Sequence, residues 1–277
     1  MKTETEFIPV HPQVDQIFSE EGGLPRRCMI EIAGPDGCGK TTFAIFAAIA
    51  AQKLNLKVGW LDVEMGLNKK HAKFFGLNLD KVDFGGYPTT AEGTFTQIIR
   101  MCREGYGLVI LDSVAGLNPQ SSIELEDEQL EDEDSFGGGG GQYAKVASFL
   151  SRVLSRTQRE CIAGNTCIIF INQLRANIQK GPFAGRGPKD QTFGGWTLKH
   201  FVSIRAEIRR VGWLKYAGRV VGARMKVRCP TKNRYASPQQ EALWDVIFDH
   251  KAPSVEEMNK RKKNKIGGLE AMDVKED

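Results

Sequence analysis

Residues 34–42 combine glycines, a lysine and two threonines in an order suited to holding phosphate groups. The stretch reads Gly34, Pro35, Asp36, Gly37, Cys38, Gly39, Lys40, Thr41 and Thr42. An apolar run precedes it and an apolar helix pattern follows it, which is the strand–turn–helix context that G-x-x-x-x-G-K-[ST] needs. Backbone N–H groups of the glycine-rich turn and the positive end of the helix then face one anion. A chance match in a glycine-rich turn is the alternative.

Within this loop, Lys40 is predicted to reach the β- and γ-phosphates of ATP, and Thr41 to ligate Mg²⁺. Asp112 ends the apolar run 108–111 and is the expected second residue of the magnesium site. Glu64 follows another predicted strand. Because the carboxyl ends of parallel strands meet at one edge, Glu64 is placed to align or deprotonate an attacking water. The alternative for Glu64 is an acid at a helix N-terminus.

Gln173 closes a further apolar strand, 166–172, and lies directly before a long loop at 174–195. An uncharged amide can bond the γ-phosphate and lose that bond after hydrolysis, which suits a switch. The loop mixes basic, aromatic and glycine residues, a composition typical of segments that bind single-stranded nucleic acid. A solvated loop with no ligand is the alternative. The predicted DNA-binding residues are Arg175, Lys180, Phe183, Arg186, Lys189, Phe193, Gly194, Gly195 and Trp196.

The charge of the chain is unevenly distributed. The formal net charge is +4, but residues 124–134 hold eight acids and no base, which leaves the rest of the chain at +12. A basic remainder is compatible with a polyanionic partner. The acidic block and five glycines at 137–141 both lie in the segment 118–143. Because this composition is unsuited to a packed element, the segment is predicted to be a mobile loop or one that orders on binding.

Strand and helix patterns alternate between these motifs. They predict an α/β protein with a mainly parallel central sheet, helices on both faces and an antiparallel hairpin turning at 215–218. We expect an N-terminal arm at 1–21, one ATPase core at 22–250 and a charged flexible tail at 251–277. The tail's basic run, 260–265, adds DNA affinity or only solubility.

The composition excludes several classes of protein. No run approaches the roughly 18 apolar residues of a membrane span. The polar, acidic start and six cysteines without a C-x-x-C pair predict a cytoplasmic protein with reduced thiols. The four histidines have no ligand spacing, so the only metal expected is the Mg²⁺ that accompanies ATP.

Taken in order, these motifs resemble the bacterial RecA and phage UvsX recombinase family. The resemblance covers Gly22 to about Pro238. The matching segments are Gly22–Pro25, Gly34–Thr42, Leu61–Glu64, Leu111–Ala115, Phe170–Arg175, Gly194–Arg210 and Lys232–Arg234.

The resemblance implies a RecA-like P-loop core and an ATP-dependent helical filament on single-stranded DNA. Such a filament pairs its strand with a homologous duplex and exchanges strands. Glu64 takes the place of the family's catalytic glutamate, and Lys232 and Arg234 match a basic pair that reaches the neighbouring subunit's ATP. The family's N-terminal helix is nearly absent, so we expect Phe7–Val10 to add to a neighbour's sheet edge.

Two other functions remain open on the sequence. One is an ATP-binding accessory or regulatory paralogue that does not exchange strands, and the other is a hexameric helicase-type motor. Glu64, Gln173 and Lys232 with Arg234 favour the recombinase, because a regulatory paralogue has no need of a complete hydrolytic set.

The acidic block is expected to limit access of DNA, because like charges repel phosphates. Replacing the eight acids of 124–134 with their amides should tighten binding to single-stranded DNA several-fold at low salt. Fluorescence anisotropy with a labelled oligonucleotide measures this, and the difference should shrink as added salt screens the charges. Weaker binding by the neutralised variant would contradict the prediction.

Overall fold

The computed structural model describes residues 6–86, 88, 90–117, 139–176, 190–192, 195–237, 239–249, 252 and 270–273. A ten-stranded sheet forms its centre, with strand order β11-β10-β9-β3-β7-β6-β4-β5; β8 pairs with β7 and β12 pairs with β9. The strands of this sheet are β3 (Cys28–Gly34), β4 (Val58–Asp62), β5 (Val82–Asp83), β6 (Leu108–Asp112), β7 (Cys167–Ala176), β8 (Asp190–Thr192), β9 (Ile204–Tyr216), β10 (Arg219–Asn233), β11 (Glu241–Ile247) and β12 (Glu270–Asp273).

The pairing from β9 through β3, β7, β6 and β4 to β5 is parallel, whereas β9, β10 and β11 pair antiparallel. The central strands are nearly continuous apolar runs because helices cover both of their faces. All seven residues of β3 and all five of β6 are buried. The predicted α/β class, mainly parallel sheet and antiparallel C-terminal hairpin are therefore confirmed.

Helices form a layer on each face. One layer contains α1 (Asp15–Phe18), α2 (Lys40–Lys53) and α3 (Lys69–Phe75), and the other contains α4 (Ala91–Arg103), α5 (Gly139–Ala163) and α6 (Gly195–Phe201). Two short 3₁₀ turns, Leu79–Lys81 and Val114–Gly116, complete the regular structure. Among the described helices, none has the length and apolar character to cross a membrane.

Helix α2 buries eight of its fourteen residues. Its aromatic side chains meet those of neighbouring elements: Phe43 lies 5.8 Å from Trp244 between ring centroids, and Phe46 lies 5.3 Å from the same indole. Trp244 is fully buried on β11. Since α2 begins at Lys40, this packing fixes the helix end that faces the phosphate-binding loop.

The N-terminal segment differs from its prediction. A short β1 (Phe7–Ile8) pairs antiparallel with β2 (Leu24–Pro25) of the same chain, and no neighbouring subunit is needed for that pairing. Ile8, Val14 and Phe18 are fully buried in the core that contains α2. The segment that the sequence predicts to be an N-terminal arm thus packs its apolar residues into the core of its own chain. A role in assembly stays a prediction.

Three predicted loop or tail boundaries also differ. Helix α5 begins at Gly139, inside the segment 118–143 that was predicted to lack a packed element. Strand β7 continues to Ala176 and pairs with β8, so both ends of the predicted loop 174–195 form a ribbon. Strand β12 lies in the predicted flexible tail and pairs with residues 212–215 of β9. In each case backbone pairing or helix continuation overrode an unfavourable local composition.

The packed N-terminal segment predicts a stability defect. Phe18→Ala should lower the free energy of unfolding by about 3–5 kcal/mol, because it leaves a cavity beside Phe43, whose ring centroid is 5.2 Å away. Urea denaturation followed by tryptophan fluorescence measures the change. Leu54→Ala is the control, since Leu54 is 45% exposed and should change stability by less than about 0.5 kcal/mol. Equal stabilities would show that the segment is not packed in solution.

Candidate nucleotide-binding site

The loop between β3 and α2 takes the form that the glycine-rich pattern predicts. Gly37 and Gly39 have φ angles of 66° and 95°, which lie in the left-handed region that favours glycine. Gly34 is required for a different reason: a Cβ there would lie 2.3 Å from the Ile208 carbonyl oxygen of β9. Close packing of β3 on β9 therefore determines where the loop starts.

The Lys40 side chain is bound to the backbone of this loop. Its Nζ donates hydrogen bonds to the carbonyl oxygens of Gly34 at 2.9 Å and Pro35 at 2.7 Å. The residue is only 9% exposed, so its ammonium group is restrained by packing as well as by these bonds. Asp36 lies 4.0 Å from the same nitrogen, and its side chain is 85% exposed. The lysine is thus positioned beside the loop that was predicted to bind phosphate.

Thr41 and Asp112, predicted to share a metal ion, are in direct contact. Thr41 Oγ1 donates to Asp112 Oδ2 at 2.9 Å. Asp112 is 9% exposed at the end of β6. Burial raises the pKa of this carboxyl from 3.8 to about 6; the Thr41 hydrogen bond opposes the shift, and the nearby carboxylates of Asp62 and Glu64 add to it.

This group of oxygen atoms suits a magnesium ion. The Thr41 hydroxyl and the buried Asp112 carboxylate supply the hard oxygen ligands that Mg²⁺ prefers, and an ion carried by a nucleotide needs few further protein ligands. A cation beside Asp112 would also offset the repulsion from its neighbouring carboxylates. The residues present therefore fit Mg²⁺ bound together with a phosphate chain.

Glu64 lies on the turn after β4, at the same edge of the sheet. The Ser113 hydroxyl donates a short hydrogen bond to Glu64 Oε1. Asp62 holds the turn in place by accepting from the backbone N–H groups of Gly66 at 3.0 Å and Leu67 at 2.9 Å. Glu64 itself remains exposed to solvent. This carboxylate is therefore oriented by protein groups and still open to water.

Gln173 lies on β7 in register with Gly34, the first residue of the loop. Its backbone N–H donates to the side-chain Oδ1 of Asn172 at 2.9 Å. The structure thus brings Lys40, Thr41, Glu64, Asp112 and Gln173 to the carboxyl ends of neighbouring parallel strands, where nucleotides bind in such sheets.

Lys232 and Arg234 lie toward the other end of the sheet. Lys232 is in register with Arg205, and Arg205 is in register with Glu31, three residues before Gly34. Strands rise about 3.3 Å per residue, so this pair is displaced by roughly 10 Å along the strands as well as by two strands across the sheet. The structure therefore separates this pair from the phosphate-binding loop of its own chain.

The predicted DNA-binding residues are only partly described. Arg175 lies on β7, and Gly195 and Trp196 begin α6. The remaining predicted residues fall outside the described residues: Lys180, Phe183, Arg186, Lys189, Phe193 and Gly194.

Sequence reasoning missed two contacts of this site. Arg210 on β9 donates from Nη1 to the Gly37 carbonyl oxygen at 3.3 Å, and its guanidinium lies 4.1 Å from the Trp213 ring centroid. Ser113, which follows Asp112 and is not among the predicted site residues, donates a hydrogen bond to Glu64. The Arg209–Arg210 pair on an alternating strand was visible in the sequence, but its proximity to the loop depends on the pairing of β9 with β3.

Comparison with known proteins identifies the family. The model of the RecA N-terminal domain matches residues 12–252. The chain belongs to the RecA family. It is 35% identical over 228 residues to Protein RecA of Syntrophus aciditrophicus, a match that covers 82% of this chain and 62% of that relative. The match to Protein RecA of Aquifex aeolicus is 34% identical over 248 residues, covering 89% of this chain and 67% of the relative.

Protein RecA of Campylobacter jejuni (strain 81-176) is 33% identical over 229 residues, again 82% of this chain and 62% of the relative. The aligned part of the chain thus spans a little over three fifths of these relatives' length. The RecA resemblance inferred from the motifs is confirmed.

The buried Asp112 carboxylate predicts a gain in stability on its neutralisation. Because its folded-state pKa is raised to about 6 from 3.8, the folded state is penalised by up to about 3 kcal/mol above pH 6. That penalty fades as the pH falls through 6. Asp112→Asn should therefore be the more stable protein at pH 8 without nucleotide or magnesium, and should lose this advantage near pH 4.

Urea denaturation of both proteins at the two pH values measures the difference. The exposed Asp80→Asn is the control and should change stability at neither pH. In the presence of magnesium and ATP the order should reverse, because Asp112→Asn loses the metal. An unchanged or lower stability at pH 8 without ligand would contradict the prediction.

Proposed function

We propose that the protein is an ATP-dependent recombinase that assembles as a helical filament on single-stranded DNA in the cytoplasm. It pairs that strand with a homologous duplex and promotes strand exchange, and the DNA stimulates its hydrolysis of ATP. The observation that carries the proposal is the hydrogen bond between Thr41 and Asp112 in a RecA-family chain, which supports a shared Mg²⁺ site next to Lys40.

In the proposed site, Lys40 exchanges its carbonyl partners for the β- and γ-phosphate oxygens of ATP. Thr41 and Asp112 hold the Mg²⁺ that accompanies the nucleotide. Bound Mg²⁺ supplies electrostatic stabilisation of the charge on the transferring phosphoryl group. The other residues of the loop, from Gly34 to Thr42, surround the phosphates with backbone N–H groups.

Glu64 is the proposed residue that orients the attacking water and accepts its proton. Support comes from its exposure to solvent and from the Ser113 hydroxyl, which fixes one carboxylate oxygen and leaves the other available. Gln173 is the proposed contact for the γ-phosphate. Its register with Gly34 supports this role, and it leads directly into the segment proposed to bind DNA.

Self-association would complete the site. The displacement of Lys232 and Arg234 from the loop of their own chain supports a contribution to the adjacent subunit's ATP. A head-to-tail contact whose rotation does not close a ring repeats into a helical filament, and nucleotide state is then coupled to filament geometry. The proposed partners are accordingly single-stranded DNA, a homologous duplex and further copies of this chain.

One paired experiment tests the proposal. ATP hydrolysis should rise when single-stranded DNA is added and should fall back as salt weakens DNA binding. Negative-stain electron microscopy of the same samples should show filaments only with both ATP and DNA. Rings with DNA-stimulated hydrolysis would indicate the helicase-type motor, and ATP binding without stimulation would indicate the accessory paralogue.

The Glu64→Gln variant tests the proposed role of Glu64 in the same experiment. Loss of the general base should lower the DNA-stimulated hydrolysis rate by about 10²- to 10⁴-fold, while filaments with ATP persist, because the change removes no phosphate or metal contact. The exposed Glu20→Gln is the matched control and should retain the wild-type rate. Normal hydrolysis by Glu64→Gln would remove this residue from the mechanism.

A further inference from the structure

A charged side chain lies in the middle of the most deeply buried strand. Glu31 is 0% exposed on β3, between neighbours that are otherwise apolar. It lies on the face of the sheet that carries Met29, which packs with α4, α5 and α6. A buried carboxylate is costly unless it is paired and hydrogen-bonded, and such an ion pair adds little net stability even then. Its partners indicate what it does.

Each oxygen of Glu31 contacts a different neighbouring strand. Oε1 accepts a hydrogen bond from Asn172 Nδ2 on β7 at 2.9 Å, and Oε2 accepts from Arg205 Nε on β9 at 2.5 Å. Asn172 is itself fully buried. The carboxylate therefore joins the strands on both sides of β3 through side chains, in addition to their backbone pairing.

The Asn172 branch leads to the nucleotide site. Asn172 Oδ1 accepts from the backbone N–H of Gln173 at 2.9 Å, so one amide side chain holds both Glu31 and the residue proposed to contact the γ-phosphate. A change in the backbone at Gln173 must therefore change the geometry at Glu31 or break one of these bonds.

The Arg205 branch leads to the far end of the segment proposed to bind DNA. Arg205 Nη1 donates to Thr231 Oγ1 at 3.2 Å. The next residue, Lys232, donates from Nζ to the carbonyl oxygens of Lys199 at 3.0 Å and His200 at 2.9 Å, in the last turn of α6. The Lys232 ammonium group stabilises the negatively polarised C-terminus of α6, and its hydrogen bonds hold α6 against β10.

We propose that Glu31 is a positioning residue that couples Gln173 to α6 and Lys232. Strand β7 ends immediately before the segment 177–194, and α6 begins immediately after it. Glu31 therefore connects the two elements that flank that segment. The Arg205 branch ends at Thr231, whose neighbour in the chain is Lys232, the residue proposed above to serve the adjacent subunit. This inference rests on the proposed function: Glu31 transmits nucleotide occupancy to the DNA-binding segment and the subunit interface.

Hydrogen exchange measured by mass spectrometry tests the coupling without requiring turnover. Magnesium and a non-hydrolysable ATP analogue are added to the wild-type protein and to Glu31→Gln, which keeps the volume but cannot accept from both Asn172 and Arg205. The wild type should change exchange at residues 34–42 and again at 195–201 and 229–233. Glu31→Gln should keep the change at 34–42 and lose most of the change in the other two segments.

Asp245→Asn is the matched control. Asp245 forms a two-bond ion pair with Arg224, both bonds at 2.7 Å, and its side chain is 6% exposed, but among the described contacts this pair touches neither Gln173 nor Lys232. Its change should lower stability without altering the response at 195–201. Thr231→Val is the second variant; its exposed site should leave folding intact, and it should weaken the response at 195–201.

The outcomes separate this inference from the proposed function. A wild-type response at 195–201 in Glu31→Gln, or none there in the wild type, would overturn the coupling. No response at 34–42 in the wild type would instead overturn nucleotide binding, and with it both proposals. In turnover, Glu31→Gln should lower the ratio of DNA-stimulated to basal hydrolysis about tenfold, whereas Asp245→Asn should leave that ratio unchanged.

Discussion

The close packing of β3 between β7 and β9 is the constraint on which the rest of the structure depends. Gly34 ends β3 against the backbone of Ile208, and Gln173 lies in register with it on the other side. Any side chain at residue 34 would separate β3 from β9 and move the start of the phosphate-binding loop. The positions of the loop and of Gln173 follow from this parallel pairing, and that of Asp112 follows from the pairing of β6 with β7.

Electrostatics at the carboxyl edge of the sheet favour a cation, because the carboxylates of Asp62, Glu64 and Asp112 lie near one another there. Asp112 is buried near Asp62 and Glu64, and its pKa is raised toward neutrality as a result. Lys40 offsets this rise in the pKa only in part, and its ammonium group is bound to loop carbonyl oxygens. A site of this kind is less stable empty than filled, which links ligand binding to the stability of the fold.

Charge is also buried away from that edge, at Glu31 on β3. The pairing of Glu31 with Arg205 and Asn172 spans three strands. Arg205 also bonds Thr231, and the next residue in the chain, Lys232, bonds the last turn of α6. Ordinary packing would place an apolar residue at position 31 with little loss of stability. Local violations of this kind are expected at functional positions.

The sequence by itself determined the local chemistry. It predicted the phosphate-binding loop, the strand ends at Glu64, Asp112 and Gln173, and the α/β alternation. Each of these depends on the spacing of residue types or on the hydrophobic periodicity over a short stretch of sequence. Tertiary structure decided what depends on long-range pairing. The burial of Phe18, the extension of β7 to Ala176 and the contact of Arg210 with the loop involve partners far apart in the chain. Neither local composition nor spacing specifies such partners, and only the folded sheet brings them together.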